Sequence, residues 1–287
     1  MSLKELRERI LFVGNTKKMT DAMQIVASSK MHKAKVQLTN SYPYYESISQ
    51  LLSLFLREGG KVTNPLLGNS IGKKKLLVVI SSNESLCGAY NQNIIKAFKA
   101  FYEEERENIV QIYCIGKKIK DAVKKMNIPY EVPSWDTKSA LLWKHLEDFA
   151  QDLMSKFLSG STDEISFLYT KGKNIMSQEV KREVWLPLPI DPSMKGNEYG
   201  DDELSHRYIL EPNKEEILNY LLQERIKTKL QRIFTSASFS EHASRMMAMQ
   251  TAGDNARDLL NELNIQYNKL RQNAITMELN DMAGALM

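Results

Sequence analysis

Apolar residues recur at alternating steps of three and four almost from the start of the chain, at Leu3, Leu6, Ile10 and Val13. That period predicts an amphipathic helix. The helical pattern runs to about Arg57 and meets one interruption, Pro43 in NSYPYYE. A kink or break is expected there, because proline offers no N–H and its ring crowds the preceding turn. After Val13 the stripe thins to Thr16, Thr20, Met23, Ala27 and Ala34, small enough in the main to let a second helix come close. Gly59-Gly60 and NPLLGNSIG end the run.

The pattern then changes period. KLLVVIS (75–81) is a compact β-branched run, NQNIIKAFKAFYEEE is helical, and NIVQIYCIG (108–116) is a second strand ending in glycine. KKIKDAVKKM and residues 137–157 read as helices, and EISFLYT (164–170) and EVKREVWLPLP (179–189) as strands. Strands alternating with helices predict a parallel or mixed sheet with crossover helices. Residues 190–206 read as a mobile loop.

From Asn213 to about Ala283 there is no proline and a single glycine, Gly253. Pro212 is suited to the first helical position. A helix of some 70 residues at 1.5 Å per residue makes a rod of roughly 105 Å. Its seam steps from Phe239 through His242, Met246, Met249, Gly253, Ala256, Leu260, Leu263, Tyr267, Leu270 and Ala274 to Met277. Only His242 among these is clearly polar, which is a sustained heptad seam. Leu6, Ile10 and Val13 supply the matching stripe at the other end of the chain. The two terminal helices are expected to pair as an antiparallel coiled coil, with the α/β region between them. The boundaries are 1–58, 73–211 and 212–287. A dimeric coiled coil or a scaffold arm fits the same pattern.

Composition adds limits. The 287 residues are 43% hydrophobic and 26% charged with a net charge of +4, ordinary for a soluble protein. Residues 1–40 carry eight Lys/Arg against three acids. Those charges are interrupted by Glu5, Glu8 and Asp21, and Phe12 is the one Phe, Tyr or Trp among residues 1–40, so nucleic acid is not the expected partner. Cys87 and Cys114 fall in no disulfide or zinc spacing. No apolar run reaches the ~18–20 residues of a membrane span, so any membrane link is expected through a partner.

The search for chemistry is brief. There is no GxGxxG after a strand and no GxxxxGK[ST]. Gly116-Lys117-Lys118 follows a strand and opens a helix, which could receive an anion; a solvated helix start is the plainer reading. His32, His145, His206 and His242 show no metal spacing. Cys87 reads as a small buried hydrophobe. No cofactor, no metal and no catalytic residues are expected. A nucleotide-binding α/β protein and a free-standing scaffold remain the alternatives.

Three stretches carry a resemblance: LKELRERILFVGNTKKMTDAMQIVASSKMHKAK, SSNESLCGAYNQNIIK (81–96) and SEHASRMMAMQTAGDNARDLLNELNIQYNKLRQNAITMELNDMAGA. In order and spacing they resemble the gamma subunit of F-type ATP synthase. Ser82 to Asn91 departs from the family's SDRGLCGGxN, lacking its acid–base pair and two of its glycines. The resemblance implies a Rossmann-like sheet domain inserted between two coiled-coil helices. It implies a non-catalytic central-stalk rotor, passing torque between a membrane c-ring and an alpha/beta hexamer beside an epsilon subunit, in ATP synthesis coupled to ion transport. It implies a bacterial source and a peripheral place on the cytoplasmic face of the inner membrane. By position, Arg271, Gln272 and Met23 are expected to meet the beta subunit. Tyr208 and Glu211 are expected on the c-ring and epsilon side.

Overall fold

Ser2 opens the first helix through a reciprocal exchange. Its Oγ accepts from the Glu5 N–H at 3.2 Å, and the Glu5 carboxylate accepts from the Ser2 N–H at 2.8 Å. This capping box satisfies donors that a helix start leaves free. The structure, a computed structural model, describes residues 2–58, 64–68, 72–135, 137, 142–172, 174–189 and 210–284. In chain order the elements are α1 (Leu3–Glu58), β1 (Lys75–Ile80), α2 (Tyr90–Glu105), β2 (Ile109–Ile115), α3 (Lys117–Lys125), α4 (Leu142–Leu158), β3 (Glu164–Gly172), β4 (Gln178–Leu186) and α5 (Lys214–Gly284). The loop expected at 190–206 and the Gly59-Gly60 stop lie outside the described residues.

Helix α1 does not break at Pro43, which lies inside it. The turn around the proline is held from α5. Tyr44 Oη donates to the Glu224 carboxylate at 3.3 Å. The Tyr45 ring carries the guanidinium groups of Arg225 and Arg232, at 3.6 and 4.2 Å from its centroid. Such contacts offset the one helical hydrogen bond that proline cannot make. At the start of α5 the helix begins at Lys214 and not at Pro212. Asn213 is the cap: its Oδ1 accepts from the Glu216 N–H at 2.9 Å, and its amide donates to the Glu216 carboxylate at 2.7 Å. Proline has no side-chain oxygen with which to do this.

The two long helices run antiparallel. Ile10 and Val13 cluster with Ala256, Leu259, Leu260 and Leu263. A Cβ on Gly253 would stand 3.5 Å from Thr20 Oγ1, so the backbones come close at that level. Met31 and Ala34 pack on Phe239, Ala243 and Met246. Leu6, Val13, Thr20, Ala27 and Ala34 are buried. Thr16 and Met23, expected on the seam, are exposed, and Lys17 and Gln24 stand half-buried instead. The seam keeps the phase set by Leu6, Ile10 and Val13. Lys17 is accommodated by pairing its ammonium with Asp21 at 2.6 Å.

On α5 the seam reads as expected through Met249, Ala256 and Leu263, all buried, with Met246, Leu260, Tyr267 and Leu270 half-buried. Met277 departs from it, at 68% exposed. The register explains this: with residues 10–13 level with 256–263, α1 begins near the level of Leu270. From there α5 continues alone for about 20 Å.

The sheet has the order β2-β1-β3-β4. Strands β2, β1 and β3 are parallel and β4 is antiparallel to β3. Every residue of β1 after Lys75 is buried, because both faces are covered. Leu77 and Val79 face a cluster with Ile94 and Phe98 of α2 and Ile119 and Val123 of α3. Leu76, Val78 and Ile80 face the other way, into a cluster shared by α4, Leu52 and Phe55 of α1, and Leu222, Ile226 and Leu230 of α5. The lower half of the coiled coil is thus one layer of the sheet domain. Fully buried Trp185 fastens the joint, donating from Nε1 to the Ile226 carbonyl at 3.1 Å.

Candidate functional site

In an open α/β sheet, ligands enter where the strand order reverses, beyond the carboxyl ends of the strands. Here that switch point lies between β1 and β3, and beside it, on the β2 side of β1, the chain fills the start of α3 with its own groups. The first N–H groups of α3 go to Asn83 Oδ1 at 3.0 Å, the Ser82 carbonyl at 3.2 Å and Ser81 Oγ at 3.0 Å. The anion position considered at Gly116-Lys117-Lys118 is therefore taken by protein acceptors. Gly116, with φ of 93°, is required there: a Cβ would sit 2.2 Å from the Ser81 carbonyl oxygen.

The departing segment Ser82–Asn91 ties itself together. Asn91 Oδ1 accepts from Ser82 Oγ at 3.0 Å, and Asn91 Nδ2 reaches Cys87 Sγ at 3.0 Å. Cys87 is buried, as the sequence suggested. Cys114 is buried too, and burial pushes its thiol up to about 12. From this turn the domain is keyed to the shaft. Tyr90 Oη donates to the Ala237 carbonyl at 3.3 Å, and Gly88 lies against Ala248.

A cavity of about 390 Å³ remains between the end of β1 and α5. Its α5 wall is an ionic cluster, with Arg245 Nη1 2.8 Å from Glu241 and 3.2 Å from His242 Nδ1. Burial raises the Glu241 pKa. Burial, with Arg245 and Lys30 nearby, lowers that of His242 to about 4. A neutral His242 can accept from Arg245, so its place on the seam is that of a satisfied polar residue.

The expected partner residues fall at separate places. Arg271 and Gln272 are exposed side by side where α5 has left α1 behind. Met23 is 37% exposed on α1, roughly 30 Å down the shaft from them by helical rise. Glu211 is exposed just before α5, at the opposite end. Tyr208 lies outside the described residues. The sequence reading missed an outer row on α1: Phe12, Met19 and Val26, seven residues apart, are 71, 62 and 55% exposed, with Leu11 and Ile25 beside them. A second apolar stripe out of phase with the seam was the available signal. Among the described residues no metal-ligand cluster occurs, and no helix is long and apolar enough to cross a membrane.

A long two-helix shaft, with a sheet domain locked onto its lower half and the start of α3 occupied by the chain's own acceptors, defines a mechanical element: a rod with a collar. The profile of the family described as ATP synthase matches residues 2–286. The chain is 36% identical to the ATP synthase gamma chain of Phocaeicola vulgatus, covering 100% of this chain and 99% of that one. It is 37% identical to that of Flavobacterium johnsoniae, covering 99% and 97%. Its fold is similar to the rotor of the Euglena gracilis mitochondrial ATP synthase, with a TM-score of 0.63 at 18% identity over 95% of this chain and 98% of that one. It is also similar to a chain of the Tetrahymena thermophila central stalk and c-ring, with a TM-score of 0.60 at 22% identity over 82% and 99%. The chain belongs to the ATP synthase gamma chain family.

Proposed function

We propose that this chain is the central-stalk rotor of an F-type ATP synthase. It is a non-catalytic subunit: the coiled coil turns inside a ring of alpha and beta subunits, where nucleotides bind, and couples their conformations to ion flow through the c-ring. The sheet domain and the lower helix ends sit on the c-ring beside epsilon, and the chain's only membrane contact is through that ring. The complex lies peripherally on the cytoplasmic face of a bacterial inner membrane. Residues 1–58 and 212–287 form the shaft and residues 73–211 the collar.

The observation that carries this reading is the bare upper end of α5, which presents Arg271 and Gln272 with no partner helix beside them. A guanidinium fork matches a carboxylate, and glutamine adds a donor and an acceptor at a fixed offset. Charge-assisted bonds of about 1.5–3 kcal/mol can favour one rotor angle and still release. Met23, neutral and partly exposed, slides past acidic loops of beta without adhering. Glu211 faces the c-ring side. Each orientation of the shaft acts by binding the open and closed forms of beta unequally.

The test uses the assembled complex in membrane vesicles. Arg271→Ala is expected to lower ATP-driven ion pumping and ATP synthesis, and Met23→Lys to uncouple hydrolysis from pumping. Unchanged coupling in both variants rejects these contacts.

A further inference from the structure

The cleft between α1, α5 and the β3–β4 hairpin has no part in the role above. It is a cavity of about 590 Å³, within the size range of small-molecule sites. Its walls gather cations: Lys171 and Lys181 from the hairpin, Lys229 and Arg232 from α5. Among its described lining residues the only carboxylate is Glu183. That group is already engaged, accepting from Tyr169 Oη at 2.8 Å and lying 3.5 Å from Lys181 and 3.9 Å from Lys229. Glu46, outside the lining, is taken up by the Tyr42 hydroxyl.

The cations at the back of the cleft are fixed in place. Lys229 Nζ donates to the Val184 carbonyl at 2.6 Å. The Arg232 guanidinium is stacked on Tyr45, which orients its planar fork. Nη1 of Arg232 is buried with no acceptor among the described residues. Buried donors of this kind are rarely left unmatched. Burial, with Arg225 and Lys181 nearby, draws the Lys229 pKa down to about 8, and a bound anion would offset part of that burial cost.

We propose that this cleft binds a phosphate-class anion, free phosphate or the phosphate tail of a nucleotide, held by Arg232, Lys229 and Lys181. Donors arriving from a helix on one side and a strand on another suit a tetrahedral group with several acceptor oxygens. A carboxylate presents only one planar edge, and chloride is a single atom without directed acceptor oxygens.

The full chain at constant ionic strength is titrated with inorganic phosphate, followed by phosphorus line width. Saturable binding is expected, weakened about tenfold or more by Arg232→Gln. Lys181→Gln, exposed on the strand and outside the core, weakens it with the circular dichroism unchanged. Arg257→Gln, exposed far up the shaft, leaves it as it was. Competition by ADP below the phosphate range assigns a nucleotide tail; competition only above it assigns free phosphate. Uptake that never saturates, equal loss in Arg257→Gln, or equal displacement by chloride overturns the proposal. Tighter binding of a polyglutamate peptide than of phosphate also overturns it, making the cleft a docking place for an acidic protein segment.

Discussion

Gly116 and Gly14 show how differently one residue type can be used. A Cβ on Gly116 meets the Ser81 backbone at 2.2 Å in a left-handed conformation, whereas one on Gly14 meets nothing within 4 Å. Gly116→Ala is expected to cost at least about 2 kcal/mol. Gly14→Ala, in a helix interior, is expected to gain about 0.5–1 kcal/mol. Urea unfolding of the isolated chain checks both, and a neutral Gly116→Ala would mean that the start of α3 is not tightly held against the end of β1. His242 gives a pH signature. Its folded pKa, about 4, lies below the 6.5 usual for histidine, so in that interval the unfolded chain binds more protons. Its contribution to stability is complete above pH 6.5 and is lost as pH falls toward 4. His242→Gln should flatten the stability profile in that window relative to the parent; identical slopes refute the assignment. At this scale the sequence was only partly legible. Buried Cys87 and half-buried His242 could be read from their neighbours in the chain. The occupation of the α3 start by Ser81, Ser82 and Asn83 could not, because those acceptors lie more than thirty residues away and arrive only when β1 pairs with β2.

At the scale of elements, the heptad on α5 was legible because repetition over many turns drowns local noise. The phase of α1 was not, since beyond Val13 the step can be taken as Thr16 or Lys17 and composition favours the wrong one. Nor could sequence show that Pro43 is tolerated, because its compensation comes from Arg225 and Arg232 on another helix. The end of the pairing decides a further property. Leu263 is 3% exposed, while Arg271, Gln272 and Met277 stand free. Leu263→Ala should destabilise the isolated chain by about 2–5 kcal/mol. A chain ending at Leu270 should unfold at nearly the same urea concentration as the full one, and yet fail to support coupled synthesis in the complex. If the truncation destabilises the isolated chain as much as Leu263→Ala does, the last stretch of α5 packs on the body and is not a bare tip.

For the whole molecule, the question is whether the two helices move as one. The shared core of the sheet, Leu52 and Phe55 of α1 and Leu222 to Leu230 of α5 locks the lower half, and the seam locks the upper. In that arrangement twist applied at the collar reaches the tip without one helix sliding on the other. Thr20 and Gly253 offer a place to ask. A Cβ on Gly253 would lie 3.5 Å from Thr20 Oγ1, the atom whose place a cysteine sulfur at position 20 would take, and 3.0 Å from the flexible Asp21 carboxylate, so the two positions face each other closely enough for a disulfide to be attempted. The native thiols, Cys87 and Cys114, are buried and should not compete. A Thr20→Cys/Gly253→Cys chain, oxidised in the assembled complex, is expected to keep its ATP hydrolysis and ion pumping, because the bond joins parts that never move apart. Activity that falls on oxidation and returns with dithiothreitol would show that the helices shear during the cycle. Torque would then pass through one helix alone, with the other as its bearing.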